Sequence, residues 1–240
     1  MLSIQGHIWQ LCRLLVRLLG VELLSTDSRQ GARYLRLDAV GFLWKELGTS
    51  CIHLEKTHLI VQLMRAVMDV TSPGTILITE TNVPHEENIS YLRGGKEAHM
   101  VYQFPLPPLT LYTFLSANST PFIKWLKNLE PAEEGTAFFN FLSSHDGIGM
   151  RPTEGLLSEE ARAFLIDSCK NSGGALNFRQ IPDGSQKVYE LNINYNDALP
   201  RRIRPNIAVP KLLWPHMRCF CPFRVCRQFI IIQFWVPATI

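Results

Sequence analysis

Cysteine is scarce in this chain, with six residues in 240, and long apolar runs and a large excess of charge of either sign are missing altogether. So few cysteines exclude a disulfide-stapled miniprotein. Cys12, Cys51 and Cys169 stand alone and read as buried thiols of a reducing, cytoplasmic protein. Cys219, Cys221 and Cys226 lie closer together, but C-x-C-x4-C lacks a second ligand pair, so no metal site is expected there. No stretch is long and apolar enough to span a bilayer. The run from Leu14 to Leu24 is broken by Arg17 and Glu22 and has neither a basic start nor a small-residue cleavage site, which makes it a poor signal peptide. Leu11, Leu14, Leu15, Leu18 and Leu19 recur at helical spacing, so residues 1–30 are expected to hold an amphipathic helix. The net charge is only +3, and it is uneven. From Ala198 onward there are Lys and Arg but no Asp or Glu, so the preceding residues are acidic overall. A basic tail of this kind suggests nucleic acid or anionic lipid, but nothing else in the chain supports either partner, and neither is expected.

What is present is alternation. From Arg33 to about Leu142, short β-type runs are separated by helical segments, the mark of parallel βαβ construction in an α/β protein. Strands are expected at Arg33 to Asp38, Thr75 to Glu80, His99 to Phe104 and Ala137 to Leu142. Apolar Leu59, Ile60, Leu63, Met64 and Val67 predict a helix over Thr57 to Val70 lying on the sheet. Pro107 to Leu129 predicts another, broken near Pro121. Ser158 is a good N-cap for a helix running to about Lys170 and ending at Gly173-Gly174. Ala175 to Arg179 and Lys187 to Leu191 flank Asp183-Gly184 as a β-hairpin. This organisation gives an entering helix at 1–30, a parallel βα unit at 31–150, an inserted α+β subdomain at 151–199, and a basic and apolar tail at 200–240.

Three of the strand ends deliver a carboxylate: Arg36-Leu37-Asp38-Ala39, Ile78-Thr79-Glu80-Thr81 and Ser144-His145-Asp146-Gly147. In a parallel barrel all C-terminal strand ends share one rim, so these acids converge. Retaining glycosyl transfer needs that convergence: a nucleophilic carboxylate and a general acid/base about 5–5.5 Å apart around an oxocarbenium-like transition state. A lone acid after a strand is usually a loop or cap residue. Three in order, correctly interleaved, form a specific pattern.

These segments resemble the signature blocks of the α-amylase superfamily of (β/α)8 barrels: the R-x-D-A block of strand four, the Glu block of strand five and the His-Asp block of strand seven. The resemblance assigns Asp38 as nucleophile, Glu80 as general acid/base and Asp146 as the residue bonding the sugar hydroxyls. Arg36 is implied beside Asp38, and His145 matches the sugar-binding histidine. Further similarity, in Gly48-Thr49-Ser50-Cys51, in Val101 to Phe104 with Leu106-Pro107-Pro108-Leu109, in Asp146 to Gly149 and in Glu190 to Tyr195, points to the sucrose phosphorylase group and its glucosylglycerate-type relatives. It covers roughly Gly31 to Leu199. It implies an α-glucoside and inorganic phosphate as substrates, without metal or organic cofactor; hydrolysis by the same acids is the runner-up. His53, His58, His85 and His99 read as locally satisfied, and Trp44 and Tyr102 as packing, before any is read as a sugar contact.

If Asp38 ends strand four, the residues before it cannot hold strands one to three, since a barrel takes about 30 residues per βα unit. The superfamily's first block, near strand three, is absent. The expected fold is therefore a partial barrel of about strands four to seven. From Pro200 the composition switches abruptly, as translation in another reading frame would produce, and the coding sequence tests this. Four strands without a closed barrel leave two open edges. Phe229-Ile230-Ile231-Ile232 with Phe234-Trp235 adds a β-prone run, so the chain alone is expected to be inactive and to self-associate through its edges.

Overall fold

The computed structural model describes residues 32–181, 184–199 and the strand at 229–233. The expected helix at 1–30, most of the tail, and Asp183 of the expected hairpin turn lie outside the described residues.

The chain folds as an α/β protein around a parallel sheet. Its strands are β1 (Tyr34–Asp38), β2 (Ile76–Thr79), β3 (Met100–Tyr102) and β4 (Ala137–Phe139). Each is shorter than expected at one or both ends. Arg36 pairs with Ile78, Ile78 with Met100, and Met100 with Ala137. Side chains alternate across a pleated strand, so the sheet has two distinct faces. Leu35, Leu37, Leu77 and Val101 face one way and bury against Val61, Met64 and Met68 of helix α1 (Glu55–Thr71). Ile78, Tyr102, Phe104 and Phe141 form the core of the other.

Helix α1 differs in one respect from its apolar pattern. Leu59 and Leu63 are exposed, whereas Thr57 and His58 are buried. The physical reason is a polar interaction that outweighs the leucines. His58 Nδ1 lies 2.9 Å from an oxygen of the fully buried Glu97, and its ring stacks on Tyr91 at 4.6 Å. A buried carboxylate without a partner costs several kcal/mol, so this pairing sets the rotation of the helix.

After β2 comes the short helix α2 (His85–Ile89). The segment expected as one broken helix forms two, α3 (Leu106–Ser116) and α4 (Thr120–Asn128), separated by Ala117 in the left-handed region, with Pro121 accommodated in the first turn of α4. Beyond β4 the short strand β5 (Ile148–Gly149), helix α5 (Glu159–Asn171) and strands β6 (Ala175–Gln180) and β7 (Gln186–Asn192) follow, then the single turn α6 (Tyr195–Ala198). The order β5-β7-β6 makes a three-stranded antiparallel sheet. Its core is shared, since Leu165 and Leu191 pack in one cluster with Leu109, Leu111 and Trp125 of α3 and α4.

The last strand, β8 (Phe229–Gln233), runs parallel to β1 along its whole length, giving the sheet order β4-β3-β2-β1-β8. The edge of β1 is therefore covered, while among the described residues the sheet still ends at β4 on one side and at β8 on the other. The β-prone tail segment occupies the edge of β1, because β1 offers it a row of unpaired N–H and C=O groups. Among the described residues no helix is long and apolar enough to cross a membrane.

Candidate functional site

Arg36 projects from β1 onto the sheet face away from α1, and its guanidinium is almost wholly buried, at 3% exposure. Such a charge needs close partners. Its Nη1 donates to Asp38 Oδ1 at the end of the same strand. Its Nη2 lies 3.9 Å from Glu80 Oε2, one residue past the end of β2. Burial opposes the charge on Arg36, but Tyr102, Glu80 and Asp38 together outweigh it and raise its pKa above the ordinary value.

Glu80 has a second partner. The backbone N–H of Ala39 donates to its Oε2 at 3.0 Å, and Ala39 itself sits at φ 48°, a conformation that costs a non-glycine residue about 1–2 kcal/mol. That turn is what aims the N–H across to the neighbouring strand end. Burial dominates the Glu80 carboxyl and pushes its pKa up; the Ala39 N–H and Arg36 pull it down, and the charges of Asp38 and Asp146 add to the upward push. The structure thus brings Arg36, Asp38 and Glu80 into one cluster.

Asp146 and His145 stand apart from that cluster. They lie on the exposed loop between β4 and β5, with His145 Nε2 3.3 Å from Asp146 Oδ2. Both line a cavity of about 380 Å³ together with Phe104, Phe141, Ser144 and Asn194, while Asp38 and Glu80 are not on its wall. Asp146 acts on Glu80 through its charge. Its loop is held by close backbone approach: a Cβ on Gly147 would come 2.6 Å from Asn192 Oδ1, and one on Gly149 would come 2.6 Å from Asn82 Oδ1. Only glycine fits the two positions that flank Ile148.

Two polar residues near Glu80 escaped the sequence reading. Asn82, two positions beyond Glu80, donates through Nδ2 to Glu190 Oε1 of β7 at 3.4 Å. The Glu190 carboxyl is pushed up by burial, pulled down by Asn177, pushed up again by the charge of Asp146 and pulled down by Asn82. The signal was available in the Glu190 to Tyr195 block, but 108 residues separate the pair and only the fold joins them. The four histidines are engaged locally. His53 Nδ1 lies 2.9 Å from the Tyr91 hydroxyl, His58 pairs with Glu97, His85 lies against Phe138, and His99 Nδ1 accepts from the Leu77 N–H. Among the described residues no three His, Cys, Asp or Glu side chains are grouped to hold a metal ion.

No family model matches the chain. Individual relatives do. Over 188 residues the chain is 51% identical to the glucosylglycerate phosphorylase of Escherichia coli K12, across 78% of this chain and 34% of that protein. This stretch belongs to the sucrose and glucosylglycerate phosphorylase branch of the α-amylase superfamily. The Spirochaeta thermophila glucosylglycerate phosphorylase is 45% identical over 187 residues, 78% of this chain and 31% of that one. The crystal structure of sucrose 6F-phosphate phosphorylase from Thermoanaerobacter thermosaccharolyticum superposes with a TM-score of 0.63 at 27% identity, covering 74% of this chain and 35% of its own. The chain spans about a third of the length of these phosphorylases.

Proposed function

We propose that this chain supplies the reacting carboxylates of a retaining α-glucosyl transferase that works with inorganic phosphate. The observation that carries this reading is one buried guanidinium, that of Arg36, facing a carboxylate from each of two adjacent parallel strand ends. On this reading β1 to β4 are four consecutive strands of an eight-stranded barrel, 31–150 is its catalytic segment, and 151–199 is inserted into it. Family membership and the named activities of the relatives support the substrate class.

The two carboxyls have different surroundings. Arg36 hydrogen-bonds Asp38 directly, which holds one of its oxygens in place for the role of nucleophile. Glu80 is buried and pushed upward, which favours the protonated form that a general acid must be. Asp38 attacks the anomeric carbon as the glycosidic bond breaks, and Glu80 gives its proton to the departing oxygen, leaving a β-glucosyl ester. Phosphate then attacks the same carbon from the face the leaving group vacated. Glu80 takes up a proton from the incoming phosphate, the ester bond breaks, and α-glucose 1-phosphate leaves with net retention. Asp146 and His145 bond the sugar hydroxyls. The free thiols Cys51 and Cys169 support a reducing, cytoplasmic setting.

The test uses this segment within an intact barrel, since the chain alone is expected to be inactive, and 5-fluoro-α-glucosyl fluoride, an activated donor that forms its ester readily and loses it slowly. A glucosyl adduct on the peptide carrying Asp38, found by mass spectrometry and absent from Asp38→Asn, is the expected result. An adduct on another residue, or none, overturns the assignment. Added phosphate should release the adduct as glucose 1-phosphate; release only as glucose makes the chain a hydrolase.

A further inference from the structure

The buried Arg36 carries one feature that its two carboxylate partners leave unexplained. Its Nε is buried and has no hydrogen-bond partner among the described residues, although such a group costs free energy comparable to a lost hydrogen bond. What faces the guanidinium is the ring of Tyr102, whose centroid lies 5.4 Å from Arg36 Cζ. The face of an aromatic ring is its electronegative side and attracts a guanidinium within about 6 Å.

The ring is itself held firmly. Tyr102 is buried, and Phe104, Phe139 and Phe141 surround it with ring centroids 5.5, 4.7 and 5.1 Å away. Its backbone is tied to the strand end that bears Glu80: Thr81 Oγ1 donates to Asn88 Oδ1 at 2.7 Å, and Asn88 Nδ2 donates to the Tyr102 carbonyl at 2.7 Å. Tyr102 is thereby fixed relative to Glu80 and simultaneously supports the cation that holds Asp38.

We propose that Tyr102 is a positioning residue, whose ring face seats Arg36 so that the one guanidinium reaches both carboxyls. The role is assigned to the ring, and Tyr102→Phe separates it from the hydroxyl, whose charge also bears on Arg36. The proposal rests on the reading of Asp38 and Glu80 given above, but the seating of Arg36 is measurable without turnover.

The experiment compares Tyr102→Phe with Tyr102→Leu in the 240-residue chain, and the first readout is the Arg36 Nε–H resonance. In the parent and in Tyr102→Phe it should be ring-shifted and slow to exchange with solvent. In Tyr102→Leu the ring shift is lost, and exchange should accelerate about ten-fold or more, the scale of a desolvated cation–ring contact. The second readout is turnover of α-glucosyl fluoride. Tyr102→Phe should stay within about two-fold of the parent, while Tyr102→Leu should lose about ten-fold in kcat with KM little changed, because seating acts on the reacting groups and not on sugar binding. Melting temperatures of the two variants control for loss of folding, and Tyr102→Ile serves as a second non-aromatic variant if Tyr102→Leu melts early. An Arg36 resonance indifferent to loss of the ring, or Phe and Leu variants alike in exchange, overturns the proposal. A parent chain without turnover is the inactivity expected of a barrel with strands missing, and the resonance then decides the role of Tyr102 by itself.

Discussion

Asp38 and Glu80 are chemically similar side chains placed in different electrostatic circumstances. Asp38 takes a direct charge-assisted hydrogen bond from Arg36. Glu80 lies farther from that cation and is more strongly governed by burial. Glu80→Gln should therefore spare activated substrates, since a fluoride or aryl leaving group needs little protonation, and should abolish turnover of natural glucosides. Equal losses for both classes would make Glu80 positional. The same carboxyl predicts a pH dependence of stability. Its folded-state pKa is raised above the ordinary value near 4.5, so the folded protein holds this proton more tightly than the unfolded one. Its contribution is fully present below the ordinary value and is lost as pH rises through the folded one. Glu80→Gln removes that loss. Melting of parent and variant from pH 4 to pH 8 should show the variant gaining on the parent as pH rises, and a gap that closes toward high pH contradicts the burial argument. The three acids were legible as residues because each follows a β-type run in a parallel pattern. Glu190 was not legible, because a carboxylate within a hairpin strand has no local feature that tells a solvated position from one facing Asn82.

Among the elements, α5 and the loop around β5 show how local chemistry sets position. Ser158 Oγ accepts the Ala161 N–H at 3.2 Å, satisfying one of the donors that a helix start leaves unpaired. Ser158→Ala should cost about 1 kcal/mol, read as a lower denaturation midpoint with an unchanged slope. Gly149→Ala should cost more than the cap, and should disturb the site as well. Its Cβ would meet Asn82 Oδ1 at 2.6 Å and Nδ2 at 2.9 Å, so either Asn82 or the loop bearing Asp146 must move. Turnover should fall further in Gly149→Ala than in Ser158→Ala at matched stability, and a fall in stability alone would place this loop outside the site. Local signals were enough for the capped helix and for the hairpin, whose turn and alternation lie within about twenty residues. They were not enough for β5, two residues long and recognisable only by its pairing with Leu191 and Glu190 of β7.

For the molecule as a whole, the decisive pairing is that of β8 with β1. A parallel strand on that edge satisfies N–H and C=O groups that would otherwise recruit another chain. Truncation after Leu199 removes it and should increase self-association, seen as a shift to larger species in light scattering at equal concentration. A truncated chain more monodisperse than the parent would instead make 229–233 the liability that its composition suggests. The sequence by itself determined the parallel α/β class, the order of β1 to β4, the carboxylates Asp38 and Glu80 at the ends of β1 and β2, and the hairpin, because alternation, turn residues and capping residues act over a few positions. Tertiary structure alone decided the rest. It decided which face of α1 is buried, because a paired His58 and Glu97 outweighs two leucines. It decided that Arg36 serves two carboxylates at once above the Tyr102 ring, and that Asn82 meets Glu190. It also decided that the last apolar run covers the edge of β1 and becomes an end of the sheet itself. Each of these depends on atoms far apart in the chain, whose energies of burial and pairing exist only once the sheet has brought them together.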